Sequence, residues 1–212
     1  MKIALIEDRI GRMNQFFEGD LSTFPEIDLI TGDSFLALGK NLTAKKTDSL
    51  KGFPCIMAHR SAFDREQIEV LREYCKENRK PLVFFSGGIT ASIYNDSAFP
   101  FLHINSRDFY STNFELFLED LRNTGVINLL VLQFGLHWRM TLLLRMRNDI
   151  NYLIQINAIK LIQDLKINKL IKDELVEKFE LDWLNKADFN PVSETEVSEF
   201  YKKLNVLIVE SV

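Results

Sequence analysis

A chain of 212 residues, 46% hydrophobic and 26% charged, has the composition of a soluble globular protein with one large or two small domains. Its 26 basic and 30 acidic residues leave a net charge of −4, which excludes an overall basic field built for nucleic acid. Two cysteines, Cys55 and Cys75, exclude a disulfide framework, and the three histidines lack zinc-ligand spacing.

The opening MKIALIEDR meets Glu7 and Asp8 too soon for a signal peptide. With its reduced cysteines, the chain is expected in the cytoplasm. Lys2–Ile6 reads as a first strand, followed by a helical pattern with Ile10, Met13 and Phe17 on one face. Ile27–Thr31 is a second strand, and a short helix is expected around Phe35–Leu38. After the polar connector Asn41–Gly52, Pro54–Ala58 reads as a third strand. Asp64 and Gln67 form a capping box for a helix that puts Ile68, Leu71 and Cys75 on one face. Leu82–Phe85 is a continuous apolar run of the kind buried on both faces of a parallel sheet, and it ends at Ser86-Gly87-Gly88. Phe101–Ile104 is a fifth strand. Thr112 and Glu115 suggest a capping box for a helix with Phe114, Phe117, Leu118 and Leu121 in one stripe and Gly125 as its stop.

Five such β-α units predict a five-stranded, doubly wound parallel sheet over residues 1–125, with helices on both faces. Ligands of such sheets bind at the carboxyl ends of the strands. Beyond Gly125 the alternation stops, and residues 126–212 read as a helical module for dimerisation or partner binding. Val126–Met146 is apolar nearly all round, as a helix covered on every face would be. Its Asn128, Gln133, His137 and Arg139 argue for burial in protein rather than in a membrane. Ile127, Leu130, Phe134, Trp138, Met140 and Leu143 are therefore candidates for an interface. His103 and His137 read as packing residues. Asn190-Pro191 breaks the helical pattern, Ser193 and Glu196 cap a last helix, and Val206–Val209 extends that helix or forms a strand.

The N-terminal portion resembles the receiver domain of two-component response regulators. MKIALIEDR is similar to that family's first strand, with an acidic pair at its end, and KPLVFFSGG to its fourth strand, with a small hydroxyl residue at its tip. The resemblance implies a flavodoxin-like fold with a pocket of Glu7, Asp8, His59, Arg60, Ser86, Gly87 and Arg107. A working receiver transfers a phosphoryl group to an Asp at the third strand's end, with Mg²⁺ on the acidic pair and a Lys from the fifth strand. Here His59 stands at the phosphoacceptor position and the fifth strand offers Arg107 without that Lys. A degenerate receiver, with no nucleophile for aspartyl phosphorylation, is the expectation. No resident cofactor is expected. Mg²⁺ at Glu7 and Asp8 is the alternative to a solvated turn or one paired with Arg9, Arg60 or Arg107. His59-Arg60-Ser61, with Ser86-Gly87-Gly88 opening a helix, is a candidate anion cradle whose plainer reading is an ordinary turn.

The C-terminal part is polarised, with net +5 over residues 137–172 and net −6 over 173–212. Arg139, Arg145, Arg147, Lys166 and Lys169 are candidate contacts to an anion or nucleic acid. Three functions follow: a non-catalytic regulatory or assembly protein working through a protein partner or homo-oligomer, a DNA-binding regulator, and a Mg²⁺-dependent phosphoacceptor. The first is the leading expectation.

Overall fold

A computed structural model of the chain describes residues 1–16, 24–158, 161–162, 165, 169–181 and 193–211. Contacts divide it into two units, Met1–Leu136 and His137–Val212. The division thus falls after Leu136, where the sequence suggested Gly125.

The first unit runs β1 (Ile3–Ile6), α1 (Ile10–Phe16), β2 (Ile27–Ile30), α2 (Gly32–Thr43), β3 (Ile56–His59), α3 (Arg65–Glu77), β4 (Leu82–Ser86), β5 (Ile93–Asn95), β6 (Phe101–Asn105), α4 (Ser106–Phe109), α5 (Thr112–Thr124) and α6 (Leu129–Phe134). It is an α/β unit whose six-stranded sheet has the order β2-β1-β3-β4-β6-β5. Every neighbouring pair is parallel except β5 with β6. The sheet therefore has six strands rather than five. Where a fourth crossover helix was expected, Ser86-Gly87-Gly88 leads through a turn into β5, a three-residue antiparallel edge. Those glycines open no helix.

Side-chain alternation sorts the strands onto two faces. Ala4, Ile6, Ile56, Ala58, Leu82 and Phe84 pack with Leu38 and Leu42 of α2 and with Leu71 and Cys75 of α3. The opposite parity, including Phe85, faces Phe109, and that ring in turn meets Phe114 of α5. The fully buried β1, β3 and β4 have polar side chains only where they end. The long connector before β3 is held in place by Lys80, whose Nζ donates to the carbonyls of Leu50, Lys51 and Phe53 at 3.4, 2.9 and 2.5 Å.

The Asp64–Gln67 capping box is present, with Gln67 N donating to Asp64 Oδ1 at 2.8 Å and Asp64 N to Gln67 Oε1 at 3.1 Å. At α5 the cap is Ser111, which accepts from Asn113 N, so Thr112 is the first helical residue rather than the cap. α2 extends well past the expected Phe35–Leu38. The helix expected through Val126–Met146 is two helices. Gly135, at φ 75°, ends α6 in a conformation that favours glycine.

In the second unit α7 (Trp138–Gln155), α8 (Lys169–Phe179) and α9 (Glu194–Glu210) share a core. Leu143, Met146, Ile150 and Leu153 of α7 repeat at three and four residues, as do Val197, Phe200, Leu204 and Leu207 of α9. Ile171 and Leu175 come from α8. Ser193 and Glu196 cap α9, which runs on through Val206–Val209 as helix. Phe17, Lys160, Asp164, Lys166, Asn190 and Pro191 lie outside the described residues. No described helix is long and apolar enough to cross a membrane.

Candidate functional site

The direction of strand addition reverses between β1 and β3, because β2 lies on one side of β1 and β3 on the other. In open α/β sheets the crevice outside the carboxyl ends at such a point is where ligands bind. Ile6 pairs with Ala58, so the next residues on the two strands, Glu7 and His59, emerge side by side on one face. The sheet register alone brings them together.

Glu7 is fully buried and His59 is 1% exposed. His59 Nδ1 lies 2.5 Å from Asp8 Oδ1 and 3.2 Å from Glu7 Oε1. Glu7 is further held by the backbone N–H of Arg9, at 2.9 Å to Oε1, and by the Tyr110 hydroxyl, at 3.0 Å to Oε2. The His59 ring stacks on Phe85 at 5.6 Å between centroids. Burial alone would lower the His59 pKa, but hydrogen bonds and charge from Glu7 and Asp8 outweigh it and hold the pKa above the ordinary histidine value. At Asp8, partial burial pushes the pKa up, while the bond to His59 and its charge bring it below the usual carboxylate range. The partner of the acidic pair is thus the His59 imidazole, whose protonated form this pairing favours. Among the described residues no arginine side chain is ion-paired with Glu7 or Asp8, so of the two plainer readings of the turn, solvated or paired with Arg9, Arg60 or Arg107, the arginine pairing is not found.

Glu7, Asp8 and His59 each offer a ligand atom, all within 4.8 Å of one another. Mg²⁺ does not fit this set. It demands near-octahedral oxygen ligation, and here both carboxylates converge on the imidazole nitrogen. A metal with more affinity for nitrogen would first have to displace the proton that His59 shares with them.

The other residues of the expected pocket are distributed around this cluster. Ser86, 6% exposed at the tip of β4, has its hydroxyl 2.7 Å from that of Ser61. Arg60 opens an exposed 3-10 turn beside β3. Gly87 and Arg107 line a cleft of about 780 Å³ that adjoins the cluster through Tyr110, whose hydroxyl bonds Glu7. Tyr110 and Ser106 gave no sequence signal. Asn105 did: it caps α4 by accepting from Arg107 N at 2.9 Å, and Asn is a preferred capping residue.

His103 packs among Phe84 and Phe101, as expected. His137 is instead exposed at the start of α7. Of the expected interface residues, Leu130 is buried in the first unit and Leu143 in the core of the second, while Ile127, Phe134, Trp138 and Met140 are half-buried. Arg139 is committed to Glu174, its Nε donating at 3.2 Å, and to the hydroxyl of Ser211. Arg145 is exposed, Arg147 half-buried, and Lys169 opens α8. No family model, curated protein or solved structure matches the chain.

Proposed function

We propose that the chain is a non-catalytic regulatory or assembly protein. Its first unit is a receiver-like module that works without phosphoryl transfer, and its helical second unit joins it to a protein partner or to a second copy. The observation that carries this reading is His59, seated between Glu7 and Asp8 at the tip of β3. With the edge strand β5 set aside, the order β2-β1-β3-β4-β6 is consistent with the flavodoxin-like arrangement of receivers. A receiver needs a carboxylate nucleophile there and a metal to neutralise the incoming phosphoryl charge. His59 supplies neither. Its Nδ1 is committed to two carboxylates, whose hydrogen bonds and charge favour the protonated ring where a receiver holds a cation. The pocket keeps the electrostatic balance of the working site without its chemistry.

Intact-mass analysis after incubation with acetyl phosphate and Mg²⁺ tests this reading. The expected result is an unchanged mass. An added phosphoryl group mapped to any residue of the β1, β3 or β4 tips would overturn it. Arg139, withdrawn into an ion pair with Glu174, gives the DNA-binding alternative one contact fewer.

A further inference from the structure

β6 is buried on one face only. Leu102 and Ile104 are 0% and 1% exposed, whereas Phe101 and His103, which alternate with them, are half-buried. β4 beside it is buried at every position. Strand pairing accounts for the difference. Phe101 and His103 lie next to Leu82 and Phe84, on the face that α2 and α3 cover over β1, β3 and β4. A doubly wound sheet covers that face with a helix from each crossover. After β4 the chain supplies β5 instead, and β5 extends the half-open face with Ile93 beside His103 and Asn95 beside Phe101. Both are exposed, Ile93 by 59%.

The rim of this face is basic. The Arg72 guanidinium lies over the Phe101 ring, 5.4 Å from its centroid. Burial, and then the charges of Arg60 and Arg72, hold the His103 pKa below the ordinary histidine value, so both arginines act on this ring. Both are exposed, and neither makes an ion pair among the described residues. Glu69 and Glu73 of α3 turn away from the side of Leu71 and Cys75 that packs on the sheet. Asp96 acts on Tyr94, which pairs with Leu102 and so belongs to the other face.

An apolar sheet face with a basic edge matches an acidic amphipathic helix. Along the five residues of β6, about 17 Å, there is length for a helix of about 11 residues. The rings are no platform for a nucleic acid base, because Phe101 already meets Phe84, Phe99, His103 and Arg72. A second copy offers no such helix among the described residues, since its longer helices bury their apolar stripes within their own units.

We propose that the half-open face of β6 and β5 docks an acidic amphipathic helix of a protein partner, with Ile93, Phe99 and Phe101 against its apolar stripe and Arg60 and Arg72 against its carboxylates. This rests on the partner-binding half of the proposed function and gives it a surface on the first unit. The full chain is panned against a display library of helices about 14 residues long, with leucine fixed on one face and Glu, Gln or Lys varied on the other. The expected result is enrichment of Glu-rich helices, which on titration into the ¹⁵N-labelled chain saturably shift the amides of β5, β6 and Arg72. Arg60→Glu combined with Arg72→Glu, exposed substitutions whose fold the spectrum checks, is expected to weaken binding about tenfold or more, and Ile93→Asp to weaken it as well. Enrichment of no helix, enrichment of Lys-rich or uncharged helices, unaltered binding in the arginine double variant, or tighter binding of a single-stranded oligouridylate at the same amides would each overturn the proposal. Selected helices that shift only amides of the second unit would overturn this surface while leaving the partner-binding reading in place.

Discussion

Replacing His59 by leucine is expected to destabilise the first unit by about 3–5 kcal/mol, the usual consequence of removing one partner from a buried ion pair. Leucine keeps apolar bulk against Phe85, so the loss reports chiefly on Glu7, which is fully buried and left, among the described residues, with Arg9 N and Tyr110 as donors. The second substitution Glu7→Gln removes the stranded charge and is expected to recover part of the loss. The pH dependence has a definite sign. His59 has a raised pKa, so its contribution is complete below the ordinary histidine value of about 6.5 and is lost as pH rises through the folded value. Asp8 has a lowered pKa, so its contribution is complete above about 3.9 and is lost as pH falls through the folded value. The gap between parent and His59→Leu is therefore expected to be widest between those limits and to narrow on the alkaline side. Native-state hydrogen exchange at the β1 and β3 amides reads the first unit separately from the second. A loss below about 1 kcal/mol, the scale of an exposed pair, would contradict the buried pairing.

Phe85→Ala is expected to cost the same unit about 3–5 kcal/mol, by lost burial and by the cavity left behind. Phe85 is fully buried, and its ring lies nearly parallel to Phe109 at 4.1 Å, edge-on to Tyr110 at 5.6 Å, and stacked on His59 at 5.6 Å. The ring therefore supports both the histidine and the tyrosine that bonds Glu7. Phe85→Leu retains most of the volume and is expected to cost clearly less. Urea unfolding followed at the same amides checks both. Equal losses for the two variants would mean that stability there comes from the aromatic stack rather than from filled volume.

Much of the first unit could be read in the sequence, because β1, β3 and β4 are short apolar runs with a polar residue at the tip. The acid pair and His59 are legible in that pattern. Their contact is not, since it depends on β1 lying beside β3 in a register where Ile6 meets Ala58. Arginines were the obvious partners for two carboxylates, yet the strand register favoured the histidine. β5 is hidden because Ile93–Asn95 is three residues long and largely exposed, with no alternation to detect. Gly135 is visible in Val126–Met146, but apolar residues on both sides mask the break that its positive φ makes. The starts of α3 and α9 are legible because their capping boxes are local. The cleft is not, since Phe16, Gly87 and Arg107 are brought together only by the fold.

The charge on the His59 ring is the point on which the proposed function most directly depends. A ¹⁵N titration of the His59 imidazole in the intact chain measures it. The expected result is a midpoint above the ordinary value of about 6.5, with both ring nitrogens protonated below it. A midpoint at or below that value would contradict a histidine whose protonated form the acidic pair holds.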